Sequence, residues 1–539
     1  MTDMTNDIEK SGEFSSLVKE GDVSSRYSNF RSNYVERFSM ILILGSFSLL
    51  VIILSISSAT FDKVDHFDYP DTVTTAYNSL GIPGYESYNW KDIETLAVGG
   101  SVNFYVAVTP AVYNWITTWL SDKLYQDYSI TVNYLNSNPS DSSKIPKTTP
   151  EIIQLIKNSL TIDPLPEGKD KGDIDVVWIN GENFYDMKSN NLLYGPFANK
   201  IPSSINFNFE APTIKYDFEV PTAGLEMPFN VAQIAFIYNS TCGLNDTSSI
   251  STVLDIASLI KTANYRNKFT YAMPSNMTET GSNIKGKDFT GSSFTRQVFY
   301  EVIGAGSDPS FCQTWFSLSV SACQSTLKYS YKDFTETKWD TGNPPSKYIK
   351  VAPFYFSFLR QLEPYLYNEP LFSGKYNNYP SSNTVTDSLF SSGKVFLTLN
   401  YNANYASRFS DAKGYTLSTG TLSNTNFLAI PINAKNKLAA LVTLNYISSA
   451  AAMFQRKSST WAPLQAYDET SPTFTSEGSN WNVAFETLPT NPHVPTRNQL
   501  VQARIPELSV AYINQLERDW YYCVLHFDNL NIQGKPSYC

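Results

Sequence analysis

Short apolar runs alternate along this chain with stretches in which apolar residues recur every three or four positions, the pattern of sheets covered by helices. The runs at 102–108, 174–179, 232–238, 269–273, 395–399 and 427–432 predict strands. The periodic stretches at 113–125, 152–160, 253–262, 293–302, 354–367 and 437–454 predict helices. The expectation is an α/β fold throughout, with no internal repeat. Polar segments interrupt the pattern at 136–150, which reads as a surface insertion, and at 1–37, which is aperiodic, Ser/Asp/Glu-rich and reads as a disordered tail.

One stretch departs from both periods. Residues 38–59 (FSMILILGSFSLLVIILSISSA) carry no charge, and as a helix they would rise about 33 Å, enough to cross a bilayer. Arg26, Arg31 and Arg37 precede the stretch, whereas Asp62, Asp65, Asp68 and Asp71 outweigh Lys63 after it. The positive-inside rule then predicts a single-pass plasma-membrane or endomembrane protein, with a cytosolic N-terminus and an extracellular or lumenal C-terminus. A cleaved signal peptide ending at Ser57-Ser58-Ala59 is the competing reading. Two features agree with an exterior location. Asn239, Asn245 and Asn276 each begin a glycosylation sequon. The cysteines fall as two close pairs, Cys312 with Cys323 and Cys523 with Cys539, which suit disulfides, leaving Cys242 over. Five buried thiols are the alternative.

At 539 residues and 42% hydrophobic the chain exceeds what one core accommodates, so two lobes are expected. A net charge of −10 with no cluster of Lys or Arg argues against a nucleic-acid partner. Catalytic signatures are missing: there is no Walker loop, HExxH, zinc-type CxxC or Gly-x-Ser-x-Gly elbow, and His66, His493 and His526 are scattered. No cofactor or metal is expected. A pair of carboxylates acting alone leaves no sequence trace and is the one enzyme reading still open.

In open α/β sheets ligands sit beyond the carboxyl ends of strands. There the sequence is polar. The 174–179 run leads into Trp178-Ile179-Asn180-Gly181-Glu182-Asn183, which offers amides, a carboxylate and an indole, or simply caps a helix. The segment Asp288-Phe289-Thr290-Gly291-Ser292-Ser293 opens a helix and suits an oxygen-bearing group. The 395–399 run ends in Asn400-Tyr401-Asn402, again amides beside phenols. Phenolate ligation of ferric iron is disfavoured, because no histidine or carboxylate stands beside these tyrosines in sequence.

These segments, taken in order, resemble the extracellular solute-binding proteins of bacterial ABC transport, in the branch near the iron, thiamine and polyamine binders. The resemblance is carried by GDIDVVWINGENFYDMKSNNLLYGPFANKIPSS (172–204), MPFNVAQIAFIYNS (227–240), DFTGSSFTRQVFYEV (288–302), LRQLEPYLY (359–367), NYNA (400–403), GTLSNTNFLAIPINAKNKLAALV (420–442), FETLPTNP (485–492) and LERDWY (516–521). It spans roughly 90–522. It implies a type II periplasmic-binding-protein fold, two lobes joined by hinge strands that cross near 231–238 and 426–432. The organisation expected is a tail 1–37, a transmembrane helix 38–59, a lead-in 60–96, lobe one from 97–230, lobe two with its hinge strand 231–425, a return strand with lobe-one helices 426–525 and a C-terminal tail 526–539. Carried over residue by residue, Trp178, Asn180, Glu182 and Asn183 would bind from lobe one, and Asp288, Thr290, Gly291, Ser292, Tyr401 and Asn402 from lobe two, with Trp178 and Tyr401 as opposing walls. The family's first strand usually ends in a glycine-rich turn; here Val106-Ala107-Val108-Thr109-Pro110 replaces it.

The function expected is capture of a small cationic or zwitterionic organic solute by lobe closure, for transport or sensing, without catalysis, and by analogy beside a transporter permease. A non-catalytic interaction protein with a degenerate cleft is the alternative.

Overall fold

The computed structural model describes residues 78–539 apart from 142, 243–249, 275–288, 340–342, 369–378, 460, 477–478, 487–490 and 530. The tail 1–37, the apolar stretch 38–59, Asn245, Asn276 and Asp288 lie outside the described residues. Among the described residues no single helix is long and apolar enough to cross a membrane.

Lobe one is built on a mixed sheet. Strands β1 (Ser101–Phe104) and β2 (Thr131–Tyr134) run parallel, and Phe104 bridges to Val176 at the mouth of β3 (Val177–Ile179). Val176, Val177 and Ile179 are buried and β-branched, as suits a strand covered on both faces. The preceding Asp175 is also buried. Its carboxylate accepts the Asn103 N–H at 2.8 Å, the Asn436 N–H at 2.7 Å and the Asn436 side-chain amide at 2.9 Å, tying β1 to the start of helix Lys437–Ile447. That helix is apolar on nearly every side and every residue but Leu438 is buried. The single helix expected at 437–454 is broken here: Lys437–Ile447 and Ala450–Ser458 meet at a 63° bend. The cause is the Ser448-Ser449 pair, because the Ser449 hydroxyl accepts the Ala452 N–H and starts a new helix instead of continuing the old one. The 136–150 insertion is tied down by Asn136, whose buried amide donates to the Val106 and Lys147 carbonyls and accepts the Lys147 N–H.

Strand β4 (Glu226–Gln233) leaves lobe one and continues, after the single residue Ile234, as β5 (Ala235–Asn239), the central strand of lobe two. There β6 (Leu397–Asn400) and β7 (Ala412–Tyr415) flank β5, both antiparallel to it. The strand expected at 269–273 is absent. This segment meets its neighbours at separated points, through Tyr367 N–H to Phe269 O and Met273 N–H to Pro380 O, and a proline partner cannot donate back into a ladder.

Strand β8 (Thr421–Ala429) returns to lobe one, antiparallel to β4 from Ser423 to Ala429 and to β3 at Phe427–Ala429. A third connection follows. Strand β9 (Arg504–Pro506) pairs parallel with the first residues of β8, and the chain then enters helix Val510–Trp520, whose apolar face packs in the lobe-two core. The stretch 426–525, expected to end in lobe-one helices, is therefore shared between the lobes. Its last helix is held in lobe two by the Tyr348 hydroxyl on Asp519 at 2.7 Å and the Tyr512 hydroxyl on Glu336 at 2.6 Å. Both expected cysteine pairs are bonded, and both sit in lobe two: Cys312–Cys323 joins two short helices and Cys523–Cys539 ties the tail to the end of the last helix. Cys242 remains a free thiol.

Candidate functional site

Where the lobes join, the short hairpin 216–221 projects from lobe one. Tyr216 pairs with Pro221 and Asp217 with Val220, so Phe218 and Glu219 form its two-residue turn, with φ of 46° and 65°. Positive φ at both positions gives the twist a tight hairpin needs, and non-glycine residues adopt it at some cost in strain. The strain is held by packing: Phe218 is buried within the lobe-two core, and its ring lies against Gly181. A Cβ at Gly181 would come within 2.7 Å of that ring, and Gly181 itself has φ of 53°. Glycine after the lobe-one strand thus makes room for the protein's own phenylalanine.

Beside this hairpin lies a cavity of about 340 Å³. Tyr216, Asp217, Phe218 and Glu219 line it from lobe one, Tyr331 and Lys332 from lobe two, and Ser423, Thr425, Arg504 and Glu507 from the crossing strands and the residue that follows them. Asp217 is 2% exposed; one carboxylate oxygen accepts the Gly181 N–H at 2.6 Å and the other has no partner among the described residues. Burial pushes its pKa up to about 8, with Gly181 pulling the other way and Glu507 adding to the rise. The hydroxyls of Ser423 and Thr425, and Nε and Nη2 of Arg504, are likewise buried without a partner among the described residues. Burial, and then the charge of Arg497, brings Arg504 down to about 10 against the pull of Glu469. Leaving one such group unmatched costs about 1–3 kcal/mol, so several around one cavity mark a place built for something other than stability.

The opposite side of the joint is saturated. Arg296, on helix Phe289–Ile303, makes a two-point bond to Glu507, Nε to one oxygen at 2.9 Å and Nη2 to the other at 3.0 Å. Its Nη1 donates to Ser292, and Nη2 also reaches Ser293 at 2.8 Å and the Tyr401 hydroxyl at 3.3 Å. Ser292 in turn donates to Glu517, and the Ser293 and Tyr401 hydroxyls bond each other. Burial works against the charge on Arg296, but Glu507 with Tyr401 and Glu517 holds its pKa above the ordinary value.

The residues expected to bind are distributed around this joint. Asn180 donates to Asn426 at 2.8 Å, Glu182 begins helix Glu182–Ser189, and Asn183 is buried with its N–H on the Asn180 carbonyl. Trp178 packs edge-on to Phe229, with ring centroids 5.2 Å apart, and lies 6.2 Å from Trp461. Tyr401 points into the Arg296 cluster, whereas Asn402 donates to the Trp461 carbonyl at 2.9 Å. Trp461 therefore touches both sides, and the cavity beside the hairpin includes neither Trp178 nor Tyr401. Thr290, Gly291 and Ser292 fall in the first turns of a helix rather than in a turn before it. Gly291 is required there by the Ala272 carbonyl, which would stand 1.9 Å from a Cβ. Asn239 ends β5, and its side-chain oxygen accepts from Thr241. Sequence reasoning did not single out Asp217, Ser423, Thr425, Arg504 or Glu507. They follow no motif, and only their unmatched burial distinguishes them; the one faint signal was Arg504 and Glu507 standing isolated in ARIPEL.

No family model matches the chain. It is similar to Protein YnjB of Escherichia coli (strain K12), 23% identical over 446 residues that cover 80% of this chain and 93% of that protein. Among solved structures it is similar to the spermidine/putrescine ABC transporter substrate-binding protein PotD of Streptococcus pneumoniae, 12% identical, with 80% of this chain and 98% of that one covered and a TM-score of 0.47. Others are a periplasmic thiamin binding protein, 13% identical with 79% and 96% covered and a TM-score of 0.41, and the apo ferric ion-binding protein A of Pasteurella haemolytica, 11% identical with 80% and 99% covered and a TM-score of 0.43. By their names these three structures are binding proteins, for spermidine/putrescine, thiamin and ferric ion.

Proposed function

We propose that this chain is a non-catalytic two-lobed binding protein that captures a small cationic or zwitterionic organic solute where its lobes join, held to a membrane by the 38–59 stretch with both lobes outside, beside a transporter permease. One observation carries the reading: the joint holds a cavity whose walls come from both lobes and the crossing strands, and four of whose lining residues, Asp217, Ser423, Thr425 and Arg504, carry buried polar atoms without a partner among the described residues. Lobe movement would open or close such a cavity, and solute binding would favour the closed form. The resemblance-derived residues Asn180, Ser292 and Tyr401 then act from behind the cavity by setting the positions of the strands and of Glu507.

A second reading, an interaction protein with a filled cleft, is favoured by Phe218 and Trp461, which bring the chain's own rings into the joint. The two readings separate by mass spectrometry of small molecules released on denaturing the full-length chain. A reproducible organic solute that also raises the melting temperature supports capture. No released molecule, together with no shift across a broad solute panel, supports the filled cleft.

A further inference from the structure

Arg504 carries the further step, because its two unmatched nitrogens are Nε and Nη2. These form one edge of the guanidinium, the edge that binds a carboxylate through two parallel N–H···O bonds. The groups nearby have the matching chemistry. Arg504 begins β9, which pairs with β8 in a register that sets Arg504 opposite Thr421 and Pro506 opposite Ser423, so Ser423 and Thr425 line the same cavity from the adjoining strand, their unmatched hydroxyls buried in its wall. Hydroxyls donate to an oxyanion as readily as they accept. The hairpin wall is the reverse. Asp217 offers an unmatched acceptor oxygen, with Glu219 on the same turn, and the rings of Tyr216, Phe218 and Tyr331 suit an alkyl chain or the face of an ammonium group.

Glu507 does not upset this division, since Arg296 takes both of its oxygens. A solute with only positive groups would leave Arg504 unmatched, and one with only negative groups would leave Asp217 so. We infer that the cavity takes a compact zwitterion of the amino-acid type, its carboxylate on the Arg504 edge and the Ser423 and Thr425 hydroxyls, its ammonium on Asp217. This rests on the joint cavity being the binding site proposed above.

The test is thermal shift and calorimetry on the full-length chain with the twenty protein amino acids, γ-aminobutyrate, putrescine, propionate and inorganic phosphate. At least one zwitterion should bind, and putrescine, propionate and phosphate should each bind at least tenfold more weakly. Arg504→Gln should weaken that zwitterion a hundredfold or more, and Asp217→Asn about tenfold. Arg504→Met provides a readout that a structural arginine would not give: the ligand-free protein should melt at the same temperature or higher, because an unmatched buried cation has been removed, while zwitterion binding is lost. Should Arg504→Met fail to fold, Thr425→Val tests the same carboxylate subsite and should cost about tenfold. Putrescine binding as tightly as any zwitterion and unaffected by Arg504→Gln would overturn the inference while leaving solute capture standing. Phosphate binding alone would do the same, and no binding by any probe overturns the zwitterion. Only that result combined with no solute released from the native protein overturns the proposed function as well.

Discussion

Arg296 and Arg504 stand at the same joint and are treated in opposite ways. All three nitrogens of Arg296 are engaged by Glu507, Ser292, Ser293 and Tyr401, whereas two nitrogens of Arg504 meet no acceptor among the described residues. Arg296 and these two nitrogens of Arg504 are alike removed from water, so the difference lies in whether the fold supplies the partner. A saturated buried network specifies how elements pack, and here it locks helix Phe289–Ile303 to the exit of β9. An unsaturated one stores binding capacity at the expense of stability. Arg296 belongs to the hinge structure, and Arg504 to the proposed ligand contact.

The sharpest way to break this assignment is Arg296→Met, which leaves Glu507 buried and unpaired. A loss of about 3–5 kcal/mol is expected in urea unfolding, and adding Glu507→Leu should recover most of it, because removing both partners of a buried pair is far less costly than removing one. If Arg296→Met is as harmless as Arg504→Met, the two sites do not differ as described. Next in size is Gly181→Ala, where positive φ and the Phe218 ring at 2.7 Å both oppose a side chain. A loss of about 1–3 kcal/mol is expected, read from the urea midpoint, as the hairpin gives up its place in the lobe-two core.

The smallest effect at neutral pH comes from Asp217. Its folded pKa of about 8 lies above the ordinary carboxylate value, so the folded state holds a proton that the unfolded state releases. The stability this contributes is full at pH 4 and below and is lost as pH rises through about 8. Glu226, 1% exposed and with both oxygens unmatched among the described residues, is raised in the same direction by burial and then by Asp217, against the charge of Lys188. The melting temperature of the native chain should therefore fall between pH 5 and pH 9. Asp217→Asn should flatten that fall, with its largest advantage over the native chain at pH 9. An unchanged slope would place Asp217 in a wetter setting than the hairpin gives it.

Much of the scaffold was legible because it follows periodicity. The β-branched run at 174–179, the helix near 152–160 and the two cysteine pairs each depend on neighbours in sequence or on a pattern that burial imposes locally, and the structure holds a strand, a helix and two disulfides there. The misreadings mark where local signals compete. Ser448-Ser449 carries a cap signal inside an apolar stretch, and the cap prevailed over the helix period. The 269–273 run has a strand's composition, yet what it forms depends on which backbone lies beside it, and that neighbour includes Pro380.

The chain by itself determined alternating α/β elements, lobes too large for one core, the paired cysteines, the absence of the catalytic motifs sought and an apolar stretch long enough for a bilayer. Only the tertiary structure decided which polar residues face one another. Asp217 and Arg504 are separated by most of the chain and follow no motif; the hairpin and β9 bring them to one cavity. The same packing put Trp178 against Phe229 and Trp461, and Tyr401 into the Arg296 cluster. Periodicity records which side of an element is buried. Whether a buried polar group finds a partner depends on residues from distant segments meeting in space, and no local pattern of hydrophobic and polar positions encodes that.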